Sequence, residues 1–166
     1  SCLVLIANGS EEIETISVVD TLRRAAIDVT LASVSDNVQV ECSRGVNIVA
    51  DMKLSDCNPD NFECIVLPGG LKGAEAFRDC AMVKEIVSNF IKSDKLVAAI
   101  CAAPAVVLGT HGFLDGRKAT SYPAFWDKLP NCVKERVVVD GNLITSQGPA
   151  TAIEFAGAII EKLCGS

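Results

Sequence analysis

The chain has 166 residues, of which 49% are hydrophobic and 22% charged, a composition typical of a globular domain rather than a disordered segment. Fifteen basic and twenty-one acidic residues give a formal net charge of −6, which argues against nucleic acid or an anionic membrane surface as the main partner. No signal peptide is visible, and no apolar run approaches the roughly 20 residues that span a bilayer. We therefore expect a single domain over residues 1–166 that does not bind membranes.

Cysteines are numerous, with eight at positions 2, 42, 57, 64, 80, 101, 132 and 164. None forms a Cys-x-x-Cys pair and the chain has one histidine, so no metal site is expected. Several cysteines lie in apolar patterns, where a cysteine behaves as a small buried hydrophobic residue. We expect free thiols and a reducing compartment, the cytoplasm or an organelle, rather than a disulfide framework.

The first half of the chain alternates between predicted strands and helices. An apolar run at 2–7 predicts a strand buried on both faces, and Ser10 is placed to cap the helix that follows. A second strand is predicted at 28–34, and two short β-like runs lie within 38–50. The buried strand predicted at 63–70 ends in a Pro-Gly-Gly turn.

The second half continues this alternation. A helix is predicted from about 80 to 92, an apolar strand at 96–100, and a helical segment that Cys101 opens. A short strand near 118–121 precedes a hairpin around Gly141 and a closing amphipathic helix. The pattern predicts an α/β fold with a mostly parallel sheet, helices on both faces, and sites beyond the carboxyl ends of the strands.

Cys101 is the leading candidate for chemistry. It directly follows an apolar strand and precedes Ala102 and Ala103, small residues that let a helix begin without crowding. This pattern is typical of a nucleophile elbow. Because a helix N-terminus favours the thiolate, we expect a thiol pKa below the ordinary value of about 8.5. The alternative is a buried structural cysteine.

A glycine pair marks a second turn at the same edge of the sheet. Gly69 and Gly70 directly follow a predicted strand, which leaves backbone amides free to point into a cleft. One such N–H, together with that of Ala102, would stabilise an oxyanion formed when sulfur adds to a carbonyl. The same Pro-Gly-Gly sequence also occurs in ordinary turns.

A third turn carries acidic residues. Glu14 lies near the start of the first helix with Glu11 and Glu12, and spacing alone does not select among the three. A protonated carboxyl beside the thiolate would donate a hydrogen bond and later move a proton. His111 is the only histidine; it either completes a Cys-His-acid triad or lies in an exposed loop.

Five segments resemble a known family, the ThiJ/PfpI superfamily and, within it, the Parkinsonism-associated deglycase (DJ-one) branch: ANGSEEIET, CSRGV, VLPGGLKGAE, AAICAAPAVVL and LITSQGPATAIEF. They follow in order over essentially the whole chain. The resemblance implies a flavodoxin-like three-layer α/β sandwich, a homodimer and cofactor-free chemistry at a cleft cysteine. It also implies a glutathione-independent glyoxalase and protein deglycase acting on α-oxoaldehydes such as methylglyoxal and on early glycation adducts. The alternative that it implies is a non-enzymatic oxidative-stress sensor or redox chaperone that works through a sulfinate at Cys101.

The resemblance also assigns roles to single residues. Cys101 matches the reactive cysteine of the family and Glu14 matches its protonated glutamate partner. Gly70 and Ala102 match the backbone donors beside the sulfur. These positions repeat the candidates that the turns indicate.

The remaining matches concern the rim of the cleft. Arg24 and Arg44 match arginines that the family places near the dimer seam and the site, and Gly69 belongs to the same rim. Tyr122 stands where animal members carry a histidine, and a phenol is a poor base at neutral pH. Ala102 stands where the peptidase-like branch carries a histidine, so we expect no protease activity.

Overall fold

A computed structural model of the chain describes residues 1–165, within which seven strands form one sheet and two form a separate hairpin. In chain order the strands are β1 (Cys2–Ile6), β2 (Val29–Ser33), β3 (Gln39–Glu41), β4 (Asn47–Val49), β5 (Met52–Lys53), β6 (Cys64–Leu67), β7 (Leu96–Ile100), β8 (Val137–Asp140) and β9 (Leu143–Ser146). The sheet has the spatial order β5-β2-β1-β6-β7-β9-β8, and only the β8–β9 pair is antiparallel. Without its two edge strands this is the 2-1-3-4-5 order of flavodoxin-like sheets.

Helices cover both faces of this sheet. The α-helices of the described residues are α1 (Glu12–Arg24), α2 (Leu71–Arg78), α3 (Ala81–Lys92) and α4 (Ala152–Cys164). Side chains of β1 alternate between the two cores: Leu3 and Leu5 pack in the cluster with α2 and α3, while Val4 and Ile6 pack in the cluster with α1 and α4. Strands buried on both faces are apolar throughout, which explains the continuous runs in the sequence. The predicted three-layer α/β sandwich is confirmed.

Some local predictions are wrong. The first helix begins at Glu12 and is capped by Glu11, whose carboxylate accepts a hydrogen bond from the Ile13 N–H at 3.0 Å. The Ser10 hydroxyl instead accepts a hydrogen bond from the Ala7 N–H at 3.0 Å, inside the turn that precedes the helix. The strand predicted near 118–121 is reduced to an isolated bridge between Ala119 and Cys132.

The helical segment after the third buried strand has an unusual form. Residues Pro104–Gly109 form a π-helix, preceded by a turn at Cys101 and Ala102. π-Helical turns are rare and are often found at functional sites. Cys101 is therefore followed by a π-helical segment in place of the expected regular α-helix, a difference that the sequence pattern does not reveal.

All eight cysteines are free thiols, as expected. The compartment remains a prediction. Within residues 1–165, none of the helices combines the length and apolar character needed to cross a bilayer.

Candidate active site

Three turns meet at the carboxyl edge of the sheet. They follow the neighbouring strands β1, β6 and β7 and carry Glu14, the pair Gly69 and Gly70, and Cys101. In chain order, β2 is added on one side of β1, whereas β6 and then β7 are added on its other side. The crevice between β1 and β6 is therefore the topological switch point, where ligands bind in open α/β sheets.

Cys101 adopts a left-handed backbone conformation, with φ of 66°. This conformation is uncommon for a residue with a side chain and is held here by hydrogen bonds on both sides. The Cys101 N–H donates to the Ser146 carbonyl at 3.0 Å, and its own carbonyl accepts from the Tyr122 N–H at 2.8 Å. The two bonds fix a sharp turn after β7 that directs the partly exposed side chain into a cavity of about 510 Å³.

Glu14 is the acid that reaches the cysteine. Its side chain is fully buried, and Oε1 accepts a hydrogen bond from the Gly69 N–H at 2.8 Å. Oε2 is also buried and has no hydrogen-bond partner of regular geometry among the described residues, while the Cys101 thiol interacts with the same carboxyl group. Burial raises the pKa of Glu14 to about 7, against lowering by Gly69 and Cys101. A substantial fraction of Glu14 is therefore protonated at neutral pH.

The expectation of a lowered thiol pKa is wrong. Burial, followed by the charge of the Glu14 carboxylate, raises the pKa of Cys101 to about 12, although the backbone N–H groups of Gly70 and Ala102 lower it. The amides at the turn are outweighed by burial first and by the neighbouring negative charge second. Protonation of Glu14 removes that charge and so makes the thiolate easier to form, and the two groups titrate as a coupled pair.

Both glycines are required by the packing. A methyl group at Gly69 would overlap Cys101 Cβ and lie 2.6 Å from Glu14 Oε1. Gly70 has φ of 81°, and a side chain there would overlap the Gly9 carbonyl. The absence of a side chain at Gly69 allows the thiol and the carboxyl group to meet, and its absence at Gly70 allows the turns after β1 and β6 to pack closely.

The cavity also contains residues that the sequence did not single out. Ser43 lies in the turn between β3 and β4, and its hydroxyl lies 2.9 Å from Glu11 Oε2 and 2.8 Å from Glu12 Oε1. The Glu12 carboxylate also accepts the Arg44 N–H at 3.0 Å, which attaches this turn to the start of α1. Burial raises the pKa of Glu12, but hydrogen bonds from its own N–H, the Ser43 hydroxyl and the Arg44 N–H together bring it below the ordinary value. The only indication of this turn in the sequence was the segment CSRGV, one of the five that resemble the family.

The rim residues divide between two places. Arg44 and Tyr122 line the cavity beside Cys101. Arg24 does not: its side chain is 81% exposed, pairs with Asp20 on α1 and borders a different surface depression, so its assignment to the cleft rim is wrong within this chain.

His111 forms no triad with the thiol. Its Nε2 lies 2.9 Å from the Arg78 carbonyl at the end of α2, outside the lining of the cavity. Because a carbonyl only accepts, Nε2 carries the proton. No group of three or more His, Cys, Asp or Glu side chains in residues 1–165 is arranged to hold a metal ion.

The fold and the site define an α/β protein with a cysteine at a strand-to-helix turn beside a buried glutamate. Residues 1–162 match the DJ-1/PfpI family, and the chain belongs to this family. The resemblance seen in the five sequence segments is thereby confirmed.

Relatives are found in plants, animals and protozoa. The chain is 46% identical over 165 residues to Protein DJ-1 homolog B of Arabidopsis thaliana, and the match covers 98% of this chain and 38% of that protein. The match to homolog A covers 43% of that protein, so the chain spans about two fifths of the length of these plant relatives. Glutathione-independent glyoxalase DJR-1.2 of Caenorhabditis elegans is 36% identical, over 99% of this chain and 89% of that protein. The structure described as "Toxoplasma gondii DJ-1, oxidized" has a TM-score of 0.95 and 48% identity, over 98% and 89% of the two chains.

Proposed function

We propose that the protein is a cysteine-dependent, cofactor-free glyoxalase and protein deglycase that acts on small α-oxoaldehydes such as methylglyoxal and on early glycation adducts. The observation that carries this proposal is the buried Glu14 carboxyl, with a pKa raised to about 7, in contact with the thiol of Cys101 in a strained turn. A relative from Caenorhabditis elegans that bears the name glutathione-independent glyoxalase supports it.

The first step is addition of sulfur to the aldehyde. It begins from the proton arrangement in which Glu14 is neutral and Cys101 is the thiolate. The sulfur forms a bond to the aldehyde carbon, the electron pair of the carbonyl moves to oxygen, and Glu14 donates its proton to that oxygen. The backbone N–H groups of Gly70 and Ala102 are beside the sulfur and stabilise the developing negative charge. The product is a hemithioacetal.

The second step is an internal proton transfer. Glu14, now ionised, removes the proton from the carbon that bears sulfur, and the resulting enediol takes it back on the neighbouring carbon. This gives a thioester of the 2-hydroxy acid. Water then adds to the thioester carbonyl and sulfur leaves as the thiolate, so one water is consumed and neither oxidant nor reductant is required.

Lactate production from methylglyoxal tests the proposal. We expect Cys101→Ser to lose at least about a thousandfold in kcat/KM, because a serine hydroxyl without a strong base is a weak nucleophile. Cys132→Ser is the matched control, since Cys132 is also a partly exposed free thiol but borders a separate cavity. The oxidation state of every sample is checked by intact mass first. Wild-type rates in Cys101→Ser would end the proposal.

Deglycation requires a separate measurement with the same variants. A peptide thiol treated briefly with methylglyoxal is presented to wild type and Cys101→Ser, and release is compared with the loss of free methylglyoxal. Release that only follows removal of the free aldehyde would leave glyoxalase activity and exclude direct repair.

A second candidate function is oxidant sensing at Cys101. Its basis is the partly exposed sulfur with two backbone N–H groups and a carboxyl group that titrates near neutrality, which would hold a sulfinate. The relative from Toxoplasma gondii whose structure is described as oxidized supports it. Intact-mass and peptide mass spectrometry after mild peroxide treatment test it. Oxidation spread evenly over the eight cysteines would count against a dedicated sensor.

We also propose a homodimer. Ile13 and Ile16 are exposed on α1, and Val46 and Val49 are exposed on the β3–β4 hairpin that Glu12 attaches to that helix. Together these residues form an apolar surface suited to a second copy of the chain. Sedimentation of wild type and Ile16→Asp tests it; a wild-type monomer at micromolar concentration would refute it.

A further inference from the structure

We propose that this site prefers α-oxoaldehydes with an aromatic substituent over methylglyoxal. This inference rests on the proposed glyoxalase function and adds the class of substituent that the cavity accepts. The observations that carry it are the separation of polar and apolar residues across the cavity and the size of the apolar side.

The order of the strands produces this separation. Segments that follow β1 and β3 contribute Glu11, Ser43 and Arg44 to the cavity, whereas segments that follow β7 and β9 contribute Tyr122 and Pro149. β1 lies on one side of β6 in the sheet, and β7 and β9 lie on the other. The cysteine is therefore bordered by a polar side toward β1 and an apolar side toward β9.

The apolar side is held at a fixed position relative to the sulfur. The Tyr122 N–H donates to the Cys101 carbonyl at 2.8 Å, so the tyrosine is attached to the peptide of the nucleophile itself. Its ring packs on Gly148, where a Cβ would lie 3.5 Å from Tyr122 Cδ1, and is tilted by 57° against Phe125 at 6.4 Å between centroids. These contacts fix the position of the ring relative to Gly148 and Phe125.

Much apolar surface in this cavity faces solvent. Tyr122 is 46% exposed and Leu71 is 50% exposed, and both line the cavity. The cavity volume of about 510 Å³ falls within the roughly 300–1,000 Å³ of pockets that hold drug-sized ligands. A three-carbon aldehyde bound at Cys101 leaves most of this surface wet. An aryl substituent covers it and gains aromatic contact with Tyr122 and Phe125.

Phenylglyoxal is the probe of this preference. Its reaction has the same balance as that of methylglyoxal: sulfur adds to the aldehyde, the proton moves from the first carbon to the second, and water releases mandelate. The measured quantity is kcat/KM for phenylglyoxal divided by kcat/KM for methylglyoxal. Comparing this ratio between variants cancels the difference in intrinsic reactivity of the two aldehydes.

Four variants decide the outcome. In Tyr122→Ala we expect the ratio to fall about tenfold, the effect of one lost aromatic contact together with its apolar area. Tyr122→Phe should keep the wild-type ratio because the ring remains. Val139→Ala is the control, since Val139 is an exposed apolar residue on β8 that does not line this cavity. Leu71→Ala, at the start of α2, provides a second, independent reduction of the exposed apolar surface in the cavity.

The results separate this inference from the proposed function. Equal losses for both aldehydes in Tyr122→Ala, or an unchanged ratio in both Tyr122→Ala and Leu71→Ala, would overturn the aromatic preference and leave glyoxalase activity intact. A wild-type enzyme that turns over neither aldehyde would remove both proposals.

Discussion

The two ends of the sheet carry cysteines in contrasting surroundings. At the amino end, Cys2 and Cys64 are register neighbours on β1 and β6, and both are completely buried. At the carboxyl end, Cys101 is partly exposed beside Glu14. Burial raises the pKa of Cys64 well above its ordinary value, and its neighbour Cys2 raises it further.

The contrast shows that a raised thiol pKa does not by itself mean an inert thiol. Both Cys64 and Cys101 are harder to ionise than a free cysteine. Cys101 differs because its neighbour is an acid with a pKa of about 7, so that the two groups titrate as a coupled pair. The cavity also gives small molecules access to the pair. Reactivity therefore depends on the proton partner and on access, and the amino end of the sheet provides neither.

The largest expected effect comes from replacing one cysteine at each end. Cys101→Ser should remove at least about a thousandfold in kcat/KM for methylglyoxal because the nucleophile is lost, with little change in the free energy of unfolding. Cys64→Ser should keep kcat/KM and lower the free energy of unfolding by about 1–3 kcal/mol, because it places a hydroxyl among apolar side chains. Steady-state kinetics and urea unfolding of both variants check this. A large loss of kcat/KM in Cys64→Ser would contradict the different roles assigned to the two cysteines.

Gly69→Ala should have the next largest effect. The new methyl group would separate the thiol from the carboxyl group, and we expect kcat/KM to fall about a hundredfold with a loss of about 1–3 kcal/mol in stability. Gly157→Ala is the control because, among residues 1–165, nothing outside its own stretch of helix lies within 4 Å of the added Cβ, and alanine in a helix stabilises by about 0.5–1 kcal/mol. Full activity in Gly69→Ala would show that contact between the two groups is not needed.

Glu14→Gln should change the pH dependence of stability. The folded pKa of about 7 lies above the unfolded value, so the native state holds the proton longer and the wild type loses stability as pH rises from about 4.5 to 7. The loss is roughly 3 kcal/mol from the size of the shift, and the glutamine variant should not show it. Urea unfolding of both proteins across this pH range measures the difference. Parallel curves would mean that Glu14 titrates normally.

The same variant should make Cys101 ionise at lower pH. Removing the carboxylate removes the second-largest cause of the raised thiol pKa. The rate of alkylation by iodoacetamide, followed against pH, should therefore have its midpoint at lower pH in Glu14→Gln than in wild type. A midpoint at higher pH would show that Glu14 stabilises the thiolate instead.

The smallest effect is expected for Arg24→Ala. Arg24 is exposed and its ion pair with Asp20 is a surface pair, worth about 0.2–1 kcal/mol. We expect kcat/KM to remain within about twofold of wild type, which corresponds to less than about half a kcal/mol. A loss of activity clearly beyond this range would place Arg24 at the site, for example across a dimer interface.

Most of the fold could be predicted because the sheet is buried on both faces. Such strands are apolar throughout, so their order along the chain was readable, and turns with small residues indicated Cys101 and Gly69. Glu14 could not be chosen from spacing alone, since which acid faces the sheet depends on where α1 begins, and the cap at Glu11 was missed. The thiol pKa depends on a contact between residues that are far apart in sequence. Rules for helix ends use only the local sequence, so they predicted a lowered pKa for Cys101 where the structure raises it.

The crowding around Gly69 also limits how the protein can diverge. Because a single added carbon at this position collides with Cys101 Cβ and with Glu14, glycine is required here for as long as that pair is kept. Tyr122 and Leu71 are free of this restriction, since each is about half exposed. New substrate ranges would therefore arise by exchanging residues of the cavity wall while the reacting pair stays the same.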